Sequence, residues 1–348
     1  MNATVDATEA VARVGRRWES LRGARLFVSG GTGFVGRWLL ATLCDANRLL
    51  GLDVRAAVLT RDPDAFARSA PDLADDAAVE LIAGDVREFS WPTGRFTHVV
   101  HAAATADAAL ARAHPSDVQS TITEGARRVV EFCAARGVGR LLAVSSGAVY
   151  RQPGSVGRPL SEDDPLGRDG PDAPDADRWV YHCAKRQMES LVVAGGDGAP
   201  AASIARLFSF VGPGLPLDRH FAIGNFIDDA LSGGPVIVHG DGTPVRSYLY
   251  AADMAAWLWT MLVDGRPGRA YNVGSERAVT VAEAAGIVAG ATAPPLDVRI
   301  EGAPGGGGGG GWYVPSTRRA RSELRVTEWT GLEDAVRRTI AWHREGAR

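Results

Sequence analysis

Residues 24–40 read ARLFVSGGTGFVGRWLL, and this stretch decides the fold of the 348-residue chain. An apolar run, a cluster of glycines and a second apolar stretch at helical spacing are typical of a strand, a tight turn and a helix. Glycine has no Cβ, so a pyrophosphate can approach the free N–H groups at the positive end of that helix. The stretch predicts a dinucleotide-binding unit, rather than a glycine turn without a ligand, with cofactor contacts from Gly30, Thr32, Gly33, Phe34, Val35 and Gly36.

Apolar runs of strand length recur along the chain and alternate with stretches of helical periodicity, among them residues 118–136 and 184–193. Parallel strands need long crossovers, which these helices supply. The predicted fold is therefore α/β, with a Rossmann-type doubly wound parallel sheet. The predicted strands are residues 24–29, 54–59, 79–82, 97–102, 140–145 and 202–208.

The composition excludes several classes of protein. Hydrophobic residues make up 45% and charged residues 23%, the balance of a globular protein with a sizeable core. A formal net charge of -3 gives no electrostatic footprint for nucleic acid or an anionic membrane. No uncharged apolar run reaches the ~20 residues that span a bilayer. We therefore expect neither nucleic acid nor a membrane as a partner.

The cysteines and the N-terminal residues indicate the compartment. Cys44, Cys133 and Cys183 stand far apart, without the spacing of a zinc site or a disulfide framework. Residues 1–23 lack the apolar block of a secretory signal and predict a helical extension, with a short surface helix over residues 5–21. The sequence predicts no metal and a reducing, cytoplasmic setting.

Lysine usage singles out one position. Of the 38 lysines and arginines, only Lys185 is a lysine, and it follows Tyr181 by four residues, which places both on one helix face. With six tyrosines in 348 positions, a randomly placed lysine would stand four residues after one of them only ~2% of the time. A phenol has a reference pKa near 10, and an adjacent ammonium favours its ionised form. The pair is therefore predicted to perform acid–base chemistry.

Two segments depart from the alternation of strands and helices. Residues 151–178 are rich in proline, glycine and aspartate and predict a long surface loop of the kind that often serves as a lid. Residues 305–311 are seven consecutive glycines and predict a flexible linker without a function of its own.

The end of the second predicted strand bears on the cofactor. An acidic residue there holds the ribose hydroxyls of NAD, whereas an arginine accommodates the 2′-phosphate of NADP. This chain has Thr60 and Arg61 at that place, so the cofactor is predicted to be NAD or NADP, with NADP favoured by Arg61 and a solvated surface arginine as the alternative. Asp85 and Val86 follow the third strand and are placed to meet the adenine.

These motifs, taken in order, resemble the extended short-chain dehydrogenase/reductase family, and specifically its nucleotide-sugar epimerase and dehydratase branch. The resemblance runs from about residue 24 to the C-terminus. Besides the glycine motif, the segments that carry it are Gly84-Asp85-Val86, His101-Ala102-Ala103-Ala104, Ser145-Ser146, Tyr181-x-x-x-Lys185, Arg206-Leu207-Phe208, Val211-Gly212-Pro213, Gly240-Asp241-Gly242, Arg246-Ser247-Tyr248-Leu249-Tyr250, Tyr271-Asn272-Val273-Gly274 and Tyr313-Val314-Pro315.

The resemblance implies a role for each matching residue. Tyr181 would be the acid/base, Lys185 would tune it and hold the nicotinamide ribose, and Ser146 would orient the reacting hydroxyl. Arg246 matches an arginine that holds the diphosphate of a nucleotide sugar in relatives, a task suited to a bidentate cation. The implied substrate contacts are Ser146, Ser209, Asn225 and Arg246, with a helix cap as the alternative for Asn225, and Ala102, Ala103 and Ala104 join the cofactor contacts.

The resemblance also implies an organisation and an assembly. Residues 24–210 and 236–274 would form the dinucleotide-binding domain, and residues 211–235 and 275–348 a smaller C-terminal substrate-binding lobe. A homodimer would form through residues 118–136 and 184–193 of each subunit, which could equally pack inside one chain.

Departures from the family pattern indicate the reaction. Dehydratases of this branch follow the serine with Asp-Glu, because elimination needs a second acid and base. Here Gly147 and Ala148 stand there and transfer no proton. The sequence therefore predicts an epimerase that oxidises a sugar hydroxyl transiently, at C4. The alternatives are an NADPH-dependent keto-sugar reductase, an atypical dehydratase that recruits Glu162, Asp163 or Asp164, and a non-catalytic redox sensor.

Overall fold

The computed structural model describes residues 4–104, 108–150, 157–167, 179–196, 198–218, 221–303 and 311–346. Most of the predicted loop at 151–178 and nearly all of the predicted glycine linker lie outside these residues. The strands are β1 (Arg25–Ser29), β2 (Arg55–Thr60), β3 (Val79–Ala83), β4 (His98–His101), β5 (Arg140–Ser146), β6 (Ala201–Leu207), β7 (Phe210–Val211), β8 (Val236–Val238), β9 (Val245–Arg246), β10 (Leu249–Tyr250), β11 (Ala270–Val273), β12 (Val279–Thr280), β13 (Val298–Ile300) and β14 (Trp312–Tyr313).

Helices connect the strands, as the sequence periodicity predicts. Proline at the first position of a helix and glycine just after its end are favourable, and Pro115 and Gly137 bound the longest helix in this way. The helices are α1 (Thr4–Val14), α2 (Phe34–Leu50), α3 (Pro63–Ser69), α4 (Pro71–Ala74), α5 (Ala108–Ala113), α6 (Pro115–Arg136), α7 (Trp179–Ala194), α8 (Ala222–Leu231), α9 (Ala251–Asp264), α10 (Val281–Gly290), α11 (Arg318–Leu324) and α12 (Leu332–Gly346).

Within the described residues, seven parallel strands form the main sheet in the order β11-β6-β5-β4-β1-β2-β3. Successive residues of a strand face opposite sides of the sheet. Accordingly Leu26 and Val28 join the core beneath α2 and α9, while Phe27 joins the core beneath α6. The chain builds outward from β1 in one direction and from β4 in the other, so the strand order reverses between them. Ligands of such sheets bind at the carboxyl ends of the strands beside that reversal. The predicted doubly wound fold is confirmed.

The N-terminal extension is more than a surface helix. Only residues 4–14 are α-helical, and a 3₁₀ helix follows over Gly15–Leu21. Trp18 is fully buried and its ring lies 5.0 Å from that of Trp259 in α9. The Tyr250 hydroxyl donates to Asp6 at 2.6 Å. The extension therefore covers the outer side of α2 and α9 instead of lying loosely on the surface.

Short strands outside the main sheet tie the C-terminal segment to the region before it. Strand β13 pairs with β8, and β9 pairs with both β12 and β14. Strands β8 and β9 therefore lie with the C-terminal strands, although the expected division gives them to the dinucleotide-binding domain. The division into domain and lobe remains a prediction. The pairings of β8 and β9 indicate that the C-terminal strands meet the preceding region between residues 236 and 246.

No helix in the described part of the chain is both long and apolar enough to cross a membrane.

Candidate functional site

The glycine turn between β1 and α2 has the geometry of a phosphate cradle. Gly30 adopts the left-handed φ of +76°, and a Cβ built there would lie 2.5 Å from the backbone of Ala102. A Cβ on Gly36 would lie 2.3 Å from the carbonyl oxygen of Gly30. At Gly33 the nearest atom would be 3.6 Å away, which leaves open space above the start of α2. The first and third glycines therefore permit close packing, and the middle one leaves room for a ligand.

A cleft of about 420 Å³ opens at this turn. Phe34 and Val35 pack against the core at the start of α2 and Gly36 is buried in it, so these three predicted contacts lie beneath the cleft. The other predicted cofactor residues, except Lys185, line it. The lining residues are Ser29, Gly30, Thr32, Gly33, Leu59, Thr60, Arg61, Gly84, Asp85, Val86, Ala102, Ala103, Ala104, Thr121, Pro216 and Phe221. The cleft thus fits an extended dinucleotide over the carboxyl ends of β1, β2, β3 and β4.

Basic and acidic groups stand at the β2 end of the cleft. The carboxylate of Asp62 accepts from the backbone N–H of Ala65 at 2.8 Å and caps α3, and Asp62 does not line the cleft. Arg61 does line it, and the described residues contain no ion-pair partner for Arg61. Asp85 is held by Arg87 through two bonds of 2.8 Å, which keep the pKa of that carboxyl below its usual range. No carboxylate is therefore aimed at a ribose at the end of β2.

Tyr181, Lys185 and Ser146 meet at the neighbouring end of the sheet. Tyr181 and Lys185 share one face of α7, and the Lys185 ammonium lies 5.9 Å from the centre of the Tyr181 ring. Lys185 is 2% exposed, and its Nζ donates to the carbonyl oxygen of Val144 in β5 at 2.8 Å. Burial lowers the pKa of Lys185 to about 8. Burial raises the pKa of Tyr181, and a hydrogen bond with Ser146 opposes that shift.

His101 lies between this group and the cleft. Its Nδ1 lies 2.7 Å from the hydroxyl of Ser29, which lines the cleft. Burial and the charge of Lys185 lower the pKa of His101 to about 3, so the imidazole is neutral at physiological pH. Lys185 itself does not line the cleft. His101 therefore adds no positive charge beside the Lys185 ammonium.

Sequence reasoning missed Tyr313 as a member of this group. Tyr313 stands in β14, and its ring lies 4.7 Å from the ring of Phe208. A Cβ built on Gly147 would lie 2.6 Å from the Tyr313 hydroxyl. The space that a side chain at position 147 would occupy is therefore taken by this phenol. The sequence shows that residue 147 is glycine, but the distance of 166 positions hides the partner that requires it.

A buried polar network stands behind the catalytic candidates. Glu189 on α7 pairs with Arg206 on β6 at 2.7 Å, and both are less than a tenth exposed. Glu189 also accepts from the Ser145 hydroxyl at 2.6 Å, and Arg206 donates to the Tyr150 hydroxyl at 2.9 Å. Tyr150 donates in turn to Asn272 at 2.6 Å. The network joins α7 to the ends of β5, β6 and β11. It therefore fixes the position of Lys185 on α7 relative to Ser146 at the end of β5.

Replacing Glu189 by glutamine is expected to lower the free energy of unfolding by about 3 kcal/mol, because the guanidinium of Arg206 would stay buried without a compensating charge. Denaturation by urea at pH 7 measures the change. Glu131→Gln is the matched control, since Glu131 pairs with Arg127 on the exposed side of α6 and the pair is screened by water. Equal stability of Glu189→Gln and the control would contradict the argument.

The remaining predicted substrate residues lie in three different elements. Arg246 is in β9, and its Nη1 donates to the carbonyl oxygens of Val245 and Gly311 at 2.8 and 2.7 Å. Ser209 precedes β7 and is half-buried, and Asn225 is half-buried within α8. Arg246 is brought near Tyr313, because the two residues are partners in the pairing of β9 with β14.

The loop carboxylates that an atypical dehydratase would recruit are engaged elsewhere. Glu162 accepts from the backbone N–H of Asn272 at 2.8 Å and its side chain is 2% exposed. Asp163 pairs with Arg319, and Asp164 forms two bonds of 2.8 Å with Arg158. The first contact holds the loop onto β11, the second holds it onto α11, and the third lies within the loop. The described residues also contain no group of histidine, cysteine, aspartate and glutamate side chains that could hold a metal ion.

Comparison with known proteins identifies the family of the chain. The chain is 26% identical over 318 residues to UDP-glucuronic acid decarboxylase 1 of Arabidopsis thaliana, covering 91% of this chain and 69% of that protein. It is 24% identical over 329 residues to dTDP-glucose 4,6-dehydratase of Streptomyces antibioticus, covering 92% of each. The structure of an epimerase from Methanothermobacter thermautotrophicus superposes with a TM-score of 0.79 at 23% identity and 96% coverage of each chain. Residues 26–274 match the model of the NAD dependent epimerase/dehydratase family, so the chain belongs to this family and is an enzyme of its type.

Proposed function

We propose that the enzyme is an NAD(P)-dependent nucleotide-sugar epimerase that oxidises a sugar hydroxyl, at C4, transiently to a ketone. One observation carries the proposal. Tyr181, Lys185 and Ser146 supply one acid–base centre, and the adjoining positions, Gly147 and Ala148, supply no second one. Epimerisation by oxidation and reduction needs a single group that accepts and returns one proton, whereas elimination of water needs a further acid and base.

The dinucleotide fits the cleft at the glycine turn. The backbone N–H groups at the start of α2 would hold the pyrophosphate, and the wall around Asp85 and Val86 would hold the adenine. Lys185 would hold the nicotinamide ribose through the donors not used by Val144. A nicotinamide held there would supply the hydride chemistry, as acceptor from the carbinol carbon and as donor to the ketone.

The protein side chains move the proton. Tyr181, in its ionised form, would accept the proton of the substrate hydroxyl. Burial opposes that form, and the interaction with Ser146 and the ammonium of Lys185 on the same helix face would offset this effect. Ser146 donates to the substrate oxygen and keeps it beside the phenol. Arg246 would hold the diphosphate of the nucleotide as a bidentate donor. After the ketone has turned over in the pocket, Tyr181 gives the proton back, and the product differs from the substrate only in configuration.

The test is product analysis with UDP-glucuronic acid and dTDP-glucose, the compounds in the names of the two relatives, and with UDP-glucose. We expect inversion at C4 without a change of mass and without net consumption of cofactor. The reaction in heavy water should leave the sugar carbons free of deuterium. Loss of water with deuterium at C5 would instead identify a dehydratase, and release of carbon dioxide from a uronic acid would identify a decarboxylase.

A keto-sugar reductase is the second candidate, because the β2 end of the cleft presents Arg61 and no carboxylate. We propose that this end accepts the 2′-phosphate of NADP. Arg61→Ala is expected to weaken NADP binding by about tenfold and to leave NAD binding nearly unchanged, since one phosphate–guanidinium contact contributes about 1.5 kcal/mol. Titration of the protein's tryptophan fluorescence with each dinucleotide measures both constants. Equal losses of affinity for NAD and NADP would refute the 2′-phosphate site. Arg55→Ala is the control, because Arg55 lies on the same strand but outside the cleft.

We also propose a homodimer built from α6 and α7 of each subunit. Leu191 and Val193 on α7 are 37% and 50% exposed, and the helices of a partner subunit would cover them. Light scattering of the purified protein measures the mass, and a monomer at micromolar concentration would refute the assembly.

A further inference from the structure

Tyr313 is half-buried beside the proposed acid–base centre, and the sequence offered it only as part of a family motif. Its position is set by several contacts. It pairs in register with Arg246, and its ring contacts that of Phe208 at 4.7 Å with an angle of 33° between the planes. The backbone that follows it exchanges hydrogen bonds with Leu160 at 2.8 and 2.7 Å. The phenol is therefore fixed in place by two strands and an aromatic neighbour.

The Tyr313 hydroxyl occupies space that is free only because residue 147 is glycine. A Cβ there would lie 2.6 Å from the Tyr313 hydroxyl and 2.8 Å from the Phe208 ring, closer than real Cβ contacts come. Gly147 directly follows Ser146, so the Tyr313 hydroxyl lies beside that serine, and an interaction with Ser146 lowers the pKa of Tyr313 against the effect of burial. The glycine that removes a second acid from the site thus admits a phenol next to the serine.

The hydrogen bonds of Ser146 determine where its proton points. A serine hydroxyl has two acceptor positions and one proton. The backbone N–H of Ala148 donates to Ser146 Oγ at 3.1 Å and takes one acceptor position. Burial raises the pKa of Tyr313, so this phenol keeps its proton and is available to donate to the second position. The proton of Ser146 would then be left for Tyr181, whose pKa an interaction with Ser146 lowers.

We propose that Tyr313 is a positioning residue whose hydroxyl donates to Ser146 and thereby directs the single Ser146 proton toward Tyr181 when no substrate is bound, and toward the substrate oxygen when that oxygen lies between the two hydroxyls. The inference rests on the acid–base role of Tyr181 in the proposed function. The titratable and charged groups that face the two phenols are Lys185 and His182 on α7, Arg246 on β9 and Tyr150 after β5.

The ionisation of Tyr181 tests the proposal without any substrate. Phenolate absorbance is titrated in the NAD-saturated protein, and subtraction of the matching Tyr181→Phe titration isolates Tyr181. A directed donor stabilises the phenolate, so Tyr313→Phe is expected to raise the midpoint of Tyr181 by about half a pH unit to one unit. In a Ser146→Ala background the same substitution should leave the midpoint where it is, because Tyr313 acts only through Ser146.

Two further variants keep the test decisive. Gly147→Ala retains every hydroxyl but displaces that of Tyr313, so it should raise the midpoint in the same direction, even where Tyr313→Phe folds poorly. Tyr271→Phe is the matched control, because the Tyr271 hydroxyl bonds Glu323 at 3.0 Å, and it should leave the midpoint unchanged. The proposal would be overturned by an unchanged midpoint in both Tyr313→Phe and Gly147→Ala. It would equally be overturned if Tyr313→Phe shifted the midpoint by the same amount in the Ser146→Ala background, or if the control showed the same shift. Since no turnover is measured, failure of the epimerase proposal is detected separately, by the product analysis.

Discussion

Tyr181→Phe is expected to lower kcat by about 10³-fold, within the range that a positioned acid–base group contributes. The substitution removes only the hydroxyl that exchanges a proton with the substrate. The ring remains packed against Lys185, whose ammonium lies 5.9 Å from its centre. Tyr181 does not line the cleft at the glycine turn, so the dissociation constant for NAD should stay within about threefold of the wild-type value.

Single-turnover kinetics with bound cofactor measure the chemical step, and a fluorescence titration measures the affinity for NAD. Tyr248→Phe is the control, because Tyr248 is another buried phenol whose pKa is raised to about 12 by burial, and it interacts with Arg246 rather than with Ser146. We expect that control to keep most of the activity. Turnover near the wild-type rate in Tyr181→Phe would remove Tyr181 from the mechanism.

Lys185→Arg is expected to lower kcat/KM by about 10²-fold or more, although it conserves the positive charge. The Lys185 ammonium is a compact donor, 2% exposed, held against the carbonyl oxygen of Val144 at 2.8 Å. A guanidinium is larger and planar and carries five donors, which this buried space does not satisfy. It would also displace the ring of Tyr181, which packs on the same face of α7.

The pH dependence of the reaction rate is a second test of the role of Lys185. Burial lowers its pKa to about 8, so the ammonium that favours the Tyr181 phenolate is present below pH 8 and is lost as the pH rises through that value. We expect the wild-type rate to fall on that alkaline side. Arg127→Lys on the exposed side of α6 is the control for the exchange of the two cations and should be neutral. A fully active Lys185→Arg enzyme would show that only charge matters at this position.

Local sequence predicted much of the nucleotide-binding half. The glycine spacing, the apolar strands and the single lysine all depend on residues close together in the chain, where periodicity and backbone sterics act directly. Predicted strands such as 140–145 and 202–208 therefore coincide with β5 and β6 to within a residue or two. The extension was harder to predict, because the burial of Trp18 depends on Trp259, 241 positions away.

The sequence by itself determined the parallel sheet, the dinucleotide cradle and the Tyr181–Lys185 pair, because each of these follows from short-range spacing. Only the tertiary structure decided that Asp62 caps a helix instead of facing a ribose, that Glu162 is used to hold a loop, and that Tyr313 fills the space over Gly147. Those three outcomes depend on which distant segments meet at the end of the sheet. The packing of the whole core selects these contacts, and no local pattern encodes them.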